Sequence, residues 1–164
     1  KQKQKKALNT YKTSMKSSFM TSANTAGNIF KSEDADKVID ALLHSLSKLK
    51  YEVKTDEKDE KEGTATVILK SQSVNLSEIQ SKLMANVRKA AASGKITDQS
   101  QIGTYVLTEM AKLIKETKPT KEMKETTLKM KLKKVKINKK EVERWMPENN
   151  YTFEMQIGRL LISQ

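Results

Sequence analysis

The spacing of apolar residues alternates along the chain between a helical period and a strand period. Steps of three and four residues predict amphipathic helices in residues 1–20, in residues 32–50 and from Tyr151 to Ile162, the last interrupted by Gly158. The first helix carries the stripe Leu8, Tyr11, Met15 and Phe19. Acidic residues directly after Ser32 complement the dipole of the second helix, whose stripe is Val38, Ile39, Leu42, Leu43, Leu46 and Leu49.

A hairpin follows the second helix. Tyr51, Val53 and Thr55 alternate with charged residues, which predicts a strand over residues 50–56. Residues 56–62 are all charged and are closed by Gly63, so we expect an exposed hairpin tip there. The β-rich run that begins at Thr64 predicts a return strand reaching Val74.

Two further helices interrupt the strands. Asn75 or Ser77 is expected to cap the first of them, and Thr97 or Asp98 the second, which ends before Pro119. Residues 93–96 are a connection short enough for an antiparallel pair of helices.

A long strand is predicted over residues 121–137. Its apolar positions change side, from Leu128, Met130 and Leu132 to Val135 and Ile137. Because side chains alternate with a period of two, this change indicates a bulge or a new packing partner, and we place a bulge at Lys133–Lys134. A turn then leads to a last short strand with Val142 and Trp145.

The predicted order of elements is α-α-β-β-α-α-β-β-α. Grouped helices and antiparallel hairpins favour the α+β class, a curved antiparallel sheet of about four strands packed on helices. The length of 164 residues fits one domain, residues 1–164, with residues 1–6 as a frayed or disordered extension.

Composition narrows the function classes. The chain has 32 basic and 20 acidic residues, a net charge of +12, which attracts polyanions such as nucleic acid, anionic headgroups or teichoic acids. A solvated surface that keeps the protein in solution is the more general use of such charge, and we favour it. With no cysteine, disulfides and thiolate metal sites are excluded. Because residue 1 is Lys rather than Met, we expect a segment upstream.

Catalytic and cofactor chemistry has no candidate in the sequence. His44 is the single histidine, and it lies on a helix with no nucleophile framework around it, so a semi-exposed helix histidine is the favoured interpretation. The acidic pairs lack the spacing of a calcium loop. No phosphate-binding glycine motif occurs, and we predict neither an enzyme nor a bound cofactor or metal.

The lysines of residues 121–140 are the most unusual feature, numbering nine. The candidates for contact with a polyanion are Lys129, Lys131, Lys133, Lys134 and Lys136. Alternating ammonium groups suit a phosphate backbone or another anionic polymer. Paired arginines and interleaved aromatics for reading bases are missing, which argues against nucleic acid. Lysine also protects outer strands from aggregation, and we favour that interpretation.

Several short segments resemble extracellular lipoprotein domains of Gram-positive bacteria that have no established activity. These segments are Tyr51-Glu52-Val53, Ala65-Thr66-Val67 and Val74-Asn75-Leu76, followed by a strand with Trp145 and a last helix from Phe153 onward. The resemblance implies a cystatin-like (nuclear-transport-factor-2-like) cone. It also implies an exported protein tethered to the membrane only through a lipidated cysteine upstream of Lys1.

The leading functional prediction is a non-enzymatic domain that binds a small molecule or protein partner at the bacterial cell surface. The inner face of the curved sheet would line an apolar pocket with Val53, Val67, Leu69, Leu128, Met130 and Leu132. Polyanion binding through the lysine-rich strand is the first alternative. An enzyme on the same fold, with no assignable site, is the second.

Overall fold

A computed structural model gives the fold of the chain. It describes residues 12, 13, 16, 17, 20, 21, 30–137 and 140–163. The chain divides into two compact units, a helical unit of Lys1–Lys48 with Asn75–Lys118, and a sheet unit of Leu49–Val74 with Pro119–Gln164. That residues 1–164 form a single domain therefore stays a prediction.

The helical unit contains α1 (Ser32–Leu46), α2 (Leu76–Ala92) and α3 (Gln99–Glu116). Side chains cap two of these helices as predicted: Asn75 Oδ1 accepts from the Glu78 N–H at 3.1 Å, and Asp98 Oδ1 accepts from the Gln101 N–H at 3.0 Å. Helix α3 packs against both α1 and α2. The buried side chains at the centre of the helical unit include Ala35, Val38, Ile39, Leu107, Ala111 and Ile114.

The first predicted helix falls largely outside the described residues. Its stripe of Leu8, Tyr11, Met15 and Phe19 is not among them, but residues 12, 13, 16, 17, 20 and 21 are helical. Lys12 pairs with Asp40 and Lys16 with Asp36, each at 2.6 Å, so this segment is joined to α1 by two ion pairs.

The sheet unit contains β1 (Tyr51–Asp59), β2 (Thr64–Ser71), β4 (Lys124–Ile137) and β5 (Lys140–Pro147), which form an open antiparallel sheet in the order β1-β2-β4-β5. The last helix is α4 (Asn150–Leu161). Two short strands that the sequence did not predict, β3 (Val74–Asn75) and β6 (Ile162–Ser163), pair with each other. The α+β class and the four-stranded antiparallel sheet are confirmed.

The predicted bulge at Lys133–Lys134 is wrong. The pairing of β4 with β5 runs without a shift from Met130 opposite Pro147 to Ile137 opposite Lys140. The apolar positions change side where the pairing of β4 with β2 ends. Lys131 is the last residue of β4 that has a partner on β2. Beyond that point β4 and β5 form a two-stranded ribbon, and such ribbons twist more strongly than wider sheets. The bulge of this sheet lies in β1, between Thr55 and Glu57.

Several element boundaries also differ from the prediction, among them the start of β4, which is Lys124 rather than residue 121. Helix α1 ends at Leu46, and strand β2 ends at Ser71. Strand β1 continues into the charged run as far as Asp59, because its partners on β2 extend to Thr64. Helix α4 is not interrupted at Gly158, since a glycine lowers helix stability without breaking the hydrogen bonds of the backbone.

Candidate functional site

The five candidate lysines lie on β4, and all five are exposed. The registers of the sheet divide them between its two faces. Lys129, Lys131 and Lys133 alternate on one face, about 6.7 Å apart along the strand. Lys134 and Lys136 have the other parity and point from the opposite face. The structure therefore brings together three of the five lysines, and it separates the other two from them.

Arg144 joins the first three lysines. It is exposed on β5 and pairs directly with Lys133, so two cations are opposite each other. Sequence reasoning missed Arg144, because nothing in the spacing of β5 shows which residue it meets on β4. We call Lys129, Lys131, Lys133 and Arg144 the cationic face.

The other two lysines have opposite-charge neighbours. Lys134 is paired with Glu143, and Lys136 is paired with Glu141. Opposite charges in directly facing positions are mutually stabilising, whereas like charges there are destabilising. The two faces of the β4–β5 ribbon thus differ electrostatically, although both carry lysine.

Acidic residues approach the cationic face without neutralising it. Glu57 and Asp59 lie in the same cross-strand rows as Lys129 and Lys131, but on β1, two strands away. Two strand spacings separate the backbones of these residues by about 9.5 Å. Among the described residues, no ion pair involves any residue of the cationic face.

Lys133 has backbone partners that fix its position. Its Nζ donates to the carbonyl of Pro147 at 3.1 Å and, more weakly, to that of Glu148 at 3.5 Å. These neutral acceptors orient the ammonium group but leave its charge uncompensated. The bonds direct the ammonium group along β5 toward Pro147, whereas the backbone of Lys133 lies opposite Arg144.

The interpretation of these lysines as guards of an outer strand is wrong for Lys131. Strand β4 pairs with β2 as far as Lys131 and with β5 from Met130 onward, so Lys131 has a strand on each side and β4 is an inner strand of the sheet. Only β1 and β5 are outer strands. The prediction failed because the position of a strand in a sheet depends on pairings distant in sequence.

Helix α4 covers the part of β4 that β5 does not reach. Gln156 donates its side-chain amide to the Thr127 carbonyl at 3.0 Å, and the Glu148 N–H donates to the Lys129 carbonyl at 3.0 Å. These bonds satisfy backbone acceptors that an open strand would leave to water. They also hold the strand segment that carries Lys129.

The six predicted pocket residues share one sheet face, but they differ in burial. Leu128 is buried, and Val67, Leu69, Met130 and Leu132 are partly buried. Val53 is 62% exposed, which contradicts its predicted inward position, because β1 is an outer strand with no neighbour beyond it.

Two of the surface cavities next to β4 in the sheet unit have Lys129 of the cationic face in their lining. One of about 490 Å³ is lined by Met130 together with mainly polar residues, which include Glu57, Lys58, Asp59, Lys129 and Glu148. The other, about 380 Å³, lies beside α4 and includes Thr127, Lys129 and Phe153. Lys129 lines both. The other five predicted pocket residues line neither, and the apolar pocket stays a prediction.

The charges of the hairpin tip are paired locally. Lys58 donates to Glu60, and this bond lowers the pKa of the Glu60 carboxyl. The Lys58 Nζ also lies 5.9 Å from the centre of the Trp145 ring, within the range of a cation–π contact. Unlike the cationic face, this lysine thus has both an anionic and an aromatic neighbour.

The helical unit contains a buried carboxylate. Asp34 accepts a hydrogen bond from Lys37 Nζ at 2.9 Å, and its side chain is 6% exposed. The bond from Lys37 lowers the pKa of Asp34 although burial opposes this. The sequence predicts Asp34 only as a charge at the start of a helix, because burial of an isolated acidic residue has no local signature. His44 is exposed. No group of three or more potential metal ligands was found among the described residues.

Comparison with known proteins places the chain in a family. The family described as "Domain of unknown function (DUF5105)" matches residues 1–162, and the chain belongs to that family. No curated protein sequence matches the chain. None of the described helices is both long and apolar enough to cross a membrane.

A solved structure shares the fold. It is the crystal structure of a candidate lipoprotein, ycdA, from Bacillus subtilis, with a TM-score of 0.70 and 17% sequence identity. The match covers 98% of this chain and 47% of the ycdA chain, so this chain spans about half the length of the protein it resembles. At this identity the likeness concerns the fold alone.

Proposed function

We propose that this member of the DUF5105 family is a non-enzymatic, lipoprotein-type domain of the bacterial cell envelope that binds an anionic polymer through its cationic face. The observation that carries the proposal is the direct pairing of Lys133 with Arg144, beside Lys131 and Lys129 and without a paired carboxylate in the described part of the chain. An anionic ligand would convert this unfavourable arrangement into a favourable one.

The facing cations affect stability as well as binding. Like charges in facing positions of a sheet destabilise it. The protein bears this cost at Lys133 and Arg144, whereas Lys134 and Lys136 on the other face are opposite glutamates. A surface kept only for solubility has no need of facing cations, so the pairing favours a binding role.

The class of polymer follows from what accompanies the cations. The residues that share this face on β4 and β5 include no aromatic side chain, and Trp145 has the opposite parity from Arg144. A platform for stacking bases is thus missing from these two strands. A regular polymer of phosphate groups, such as a teichoic acid, fits this surface better than nucleic acid does.

The envelope location rests on two resemblances. The short segments noted in the sequence resemble extracellular lipoprotein domains, and the ycdA structure bears the description of a candidate lipoprotein. A cystatin-like, curved form of the sheet is part of the same inference. Feeding labelled fatty acid to cells that express the full-length gene product tests the location. We expect label and protein together in the membrane fraction, and unlabelled protein in the cytosol would contradict it.

The binding proposal is tested with a triple variant, Lys129→Gln, Lys131→Gln and Lys133→Gln. We would measure affinity for purified polyglycerol phosphate teichoic acid across a series of salt concentrations. Each phosphate contact contributes about 0.7 to the slope of log K against log salt in single-stranded nucleic acid, so we expect the slope to fall by about two.

The matched control removes the same charge elsewhere. Lys48, Lys89 and Lys115 are exposed residues of the helical unit. Changing these three to Gln should leave the slope nearly unchanged. If the two triple variants lose affinity equally, binding depends on net charge and the assignment to the cationic face is wrong.

A further inference from the structure

We propose that the outer strand β1 pairs with β1 of a second copy of this chain, antiparallel and symmetric about Val53. Strand β1 is one end of the sheet order, and all nine of its residues are exposed. Tyr51 is 68% and Val53 is 62% exposed, so both side chains are accessible to a partner strand. The inference is independent of polymer binding.

The direction of the backbone groups shows which residues are available for such pairing. The Lys50 carbonyl accepts from the Gln72 N–H at 3.0 Å, so Lys50 points toward the neighbouring chain segment. Because the direction alternates along a strand, Tyr51, Val53 and Thr55 point their N–H and C=O groups away from β2. No hydrogen bond from another described backbone group reaches these outward groups.

Symmetry about Val53 selects a register with complementary charges. It places Glu52 opposite Lys54 of the second copy, and Lys54 opposite its Glu52. It also places Tyr51 opposite Thr55, and Val53 opposite itself. Aromatic and β-branched residues in facing positions stabilise a sheet. All three outward-pointing residues then form hydrogen-bonded pairs, about two bonds in each.

The neighbouring registers are unfavourable. Symmetry about Glu52 would place glutamate opposite glutamate, and symmetry about Lys54 would place lysine opposite lysine. Registers shifted further lose length, because β1 begins at Tyr51 and its regular part ends at the bulge between Thr55 and Glu57. The register about Val53 therefore uses the whole regular segment.

Charged residues on an outer strand usually prevent such pairing. A strand of uniform charge would be attracted by one of Glu52 and Lys54 and repelled by the other, whereas a second copy in antiparallel orientation is attracted by both. The charges thus select a second copy of this chain as the occupant. An interface of five residues per copy is small, so the association should be weak.

A single cysteine provides the first test, because the chain contains none. In a hydrogen-bonded antiparallel pair, facing Cα atoms are about 5.5 Å apart, which a disulfide can span. Val53→Cys should therefore give a covalent dimer under mild oxidation. The control is Met84→Cys, at a position 56% exposed on α2, which should give little. Equal cross-linking of the two variants would overturn the proposal.

Charge exchange provides the second test, by analytical ultracentrifugation up to about 1 mM protein, where interactions of a few kcal/mol are detected. We expect the unmodified chain to dimerise, Glu52→Lys and Lys54→Glu each to weaken the dimer at least tenfold, and the double exchange to restore it. A monomeric unmodified chain whose Val53→Cys variant does not cross-link would refute the pairing. So would a dimer that either single exchange leaves unchanged.

Discussion

Two glycines lie in surroundings where an added side chain should have opposite effects on stability. Gly63 has a φ of +63°, and a Cβ added there would lie 3.3 Å from the Cβ of Leu132. Its carbonyl also accepts from the Leu132 N–H at 2.8 Å, which joins the hairpin turn to β4. Gly158 lies on the exposed side of α4, with no atom within 4 Å of an added Cβ.

Alanine at these two glycines should change stability in opposite directions. Gly63→Ala should lower the free energy of unfolding by about 1–2 kcal/mol, because left-handed φ values are strained for a side chain. Gly158→Ala should raise it by roughly 0.5–1 kcal/mol, because alanine is the better helix former. Urea titration measures both, and a loss of stability in Gly158→Ala would show that α4 depends on the glycine.

The buried carboxylate of Asp34 should make stability depend on acid pH. Its folded pKa lies below the ordinary value of 3.8, so its contribution is present above about pH 4 and is lost as the pH falls through the folded pKa. Asp34→Asn should cost about 1 kcal/mol at pH 7, and less as the pH falls through the folded pKa, where the wild-type carboxyl takes up a proton. Urea titrations at pH 7 and at a series of acidic pH values measure the difference.

The control for Asp34 is Asp56→Asn. Asp56 is exposed, and it forms no ion pair among the described residues. Its replacement should change stability little at any of these pH values. A cost for Asp34→Asn that stays constant as the pH falls through the folded pKa would contradict the role of the ionised carboxylate.

At the scale of elements, buried serines complete the ends of two helices. The Ser45 hydroxyl donates to the Ile114 carbonyl at 2.9 Å, in the last turn of α3. In the sheet unit, the Ser73 hydroxyl donates to the Leu160 carbonyl at 2.6 Å, in the last turn of α4. The last carbonyls of a helix have no hydrogen-bond donor within the helix, so these serine hydroxyls provide the missing donors.

Removing either hydroxyl should leave a buried carbonyl without its partner. We expect Ser45→Ala and Ser73→Ala each to lower the free energy of unfolding by about 1–2 kcal/mol. Ser47→Ala is the control, since Ser47 donates to the His44 carbonyl at an exposed site where water can take its place. Similar stabilities of all three variants in urea titration would show that these bonds contribute little.

Local pattern predicted the elements well, and non-local pairing explains where it failed. The stripe after Ser32 and the caps at Asn75 and Asp98 depend on residues a few positions apart, and the structure confirms those helices. The inner position of β4 depends on partners more than 50 residues away on β2. The exposure of Val53 was not predicted for the same reason, since the position of β1 at the edge of the sheet also depends on the order of the strands.

At the scale of the whole molecule, the net charge of +12 says less than its distribution. The lysine row was visible in the sequence, but the facing of Lys133 and Arg144 was not, because it requires the register of β4 and β5. That register also separates the cationic face from Lys134 and Lys136 by turning them to the opposite side. The central claim is therefore a claim about one face of one sheet.

The most direct test of that claim observes each lysine separately while a polymer binds. We would methylate the lysines with ¹³C, assign the signals of β4 with single Lys→Arg variants, and titrate with short polyglycerol phosphate. We expect large shifts of the signals of Lys129, Lys131 and Lys133 at saturation, and small shifts for Lys134 and Lys136. Equal shifts on the two faces, or the largest shifts in the helical unit, would contradict it.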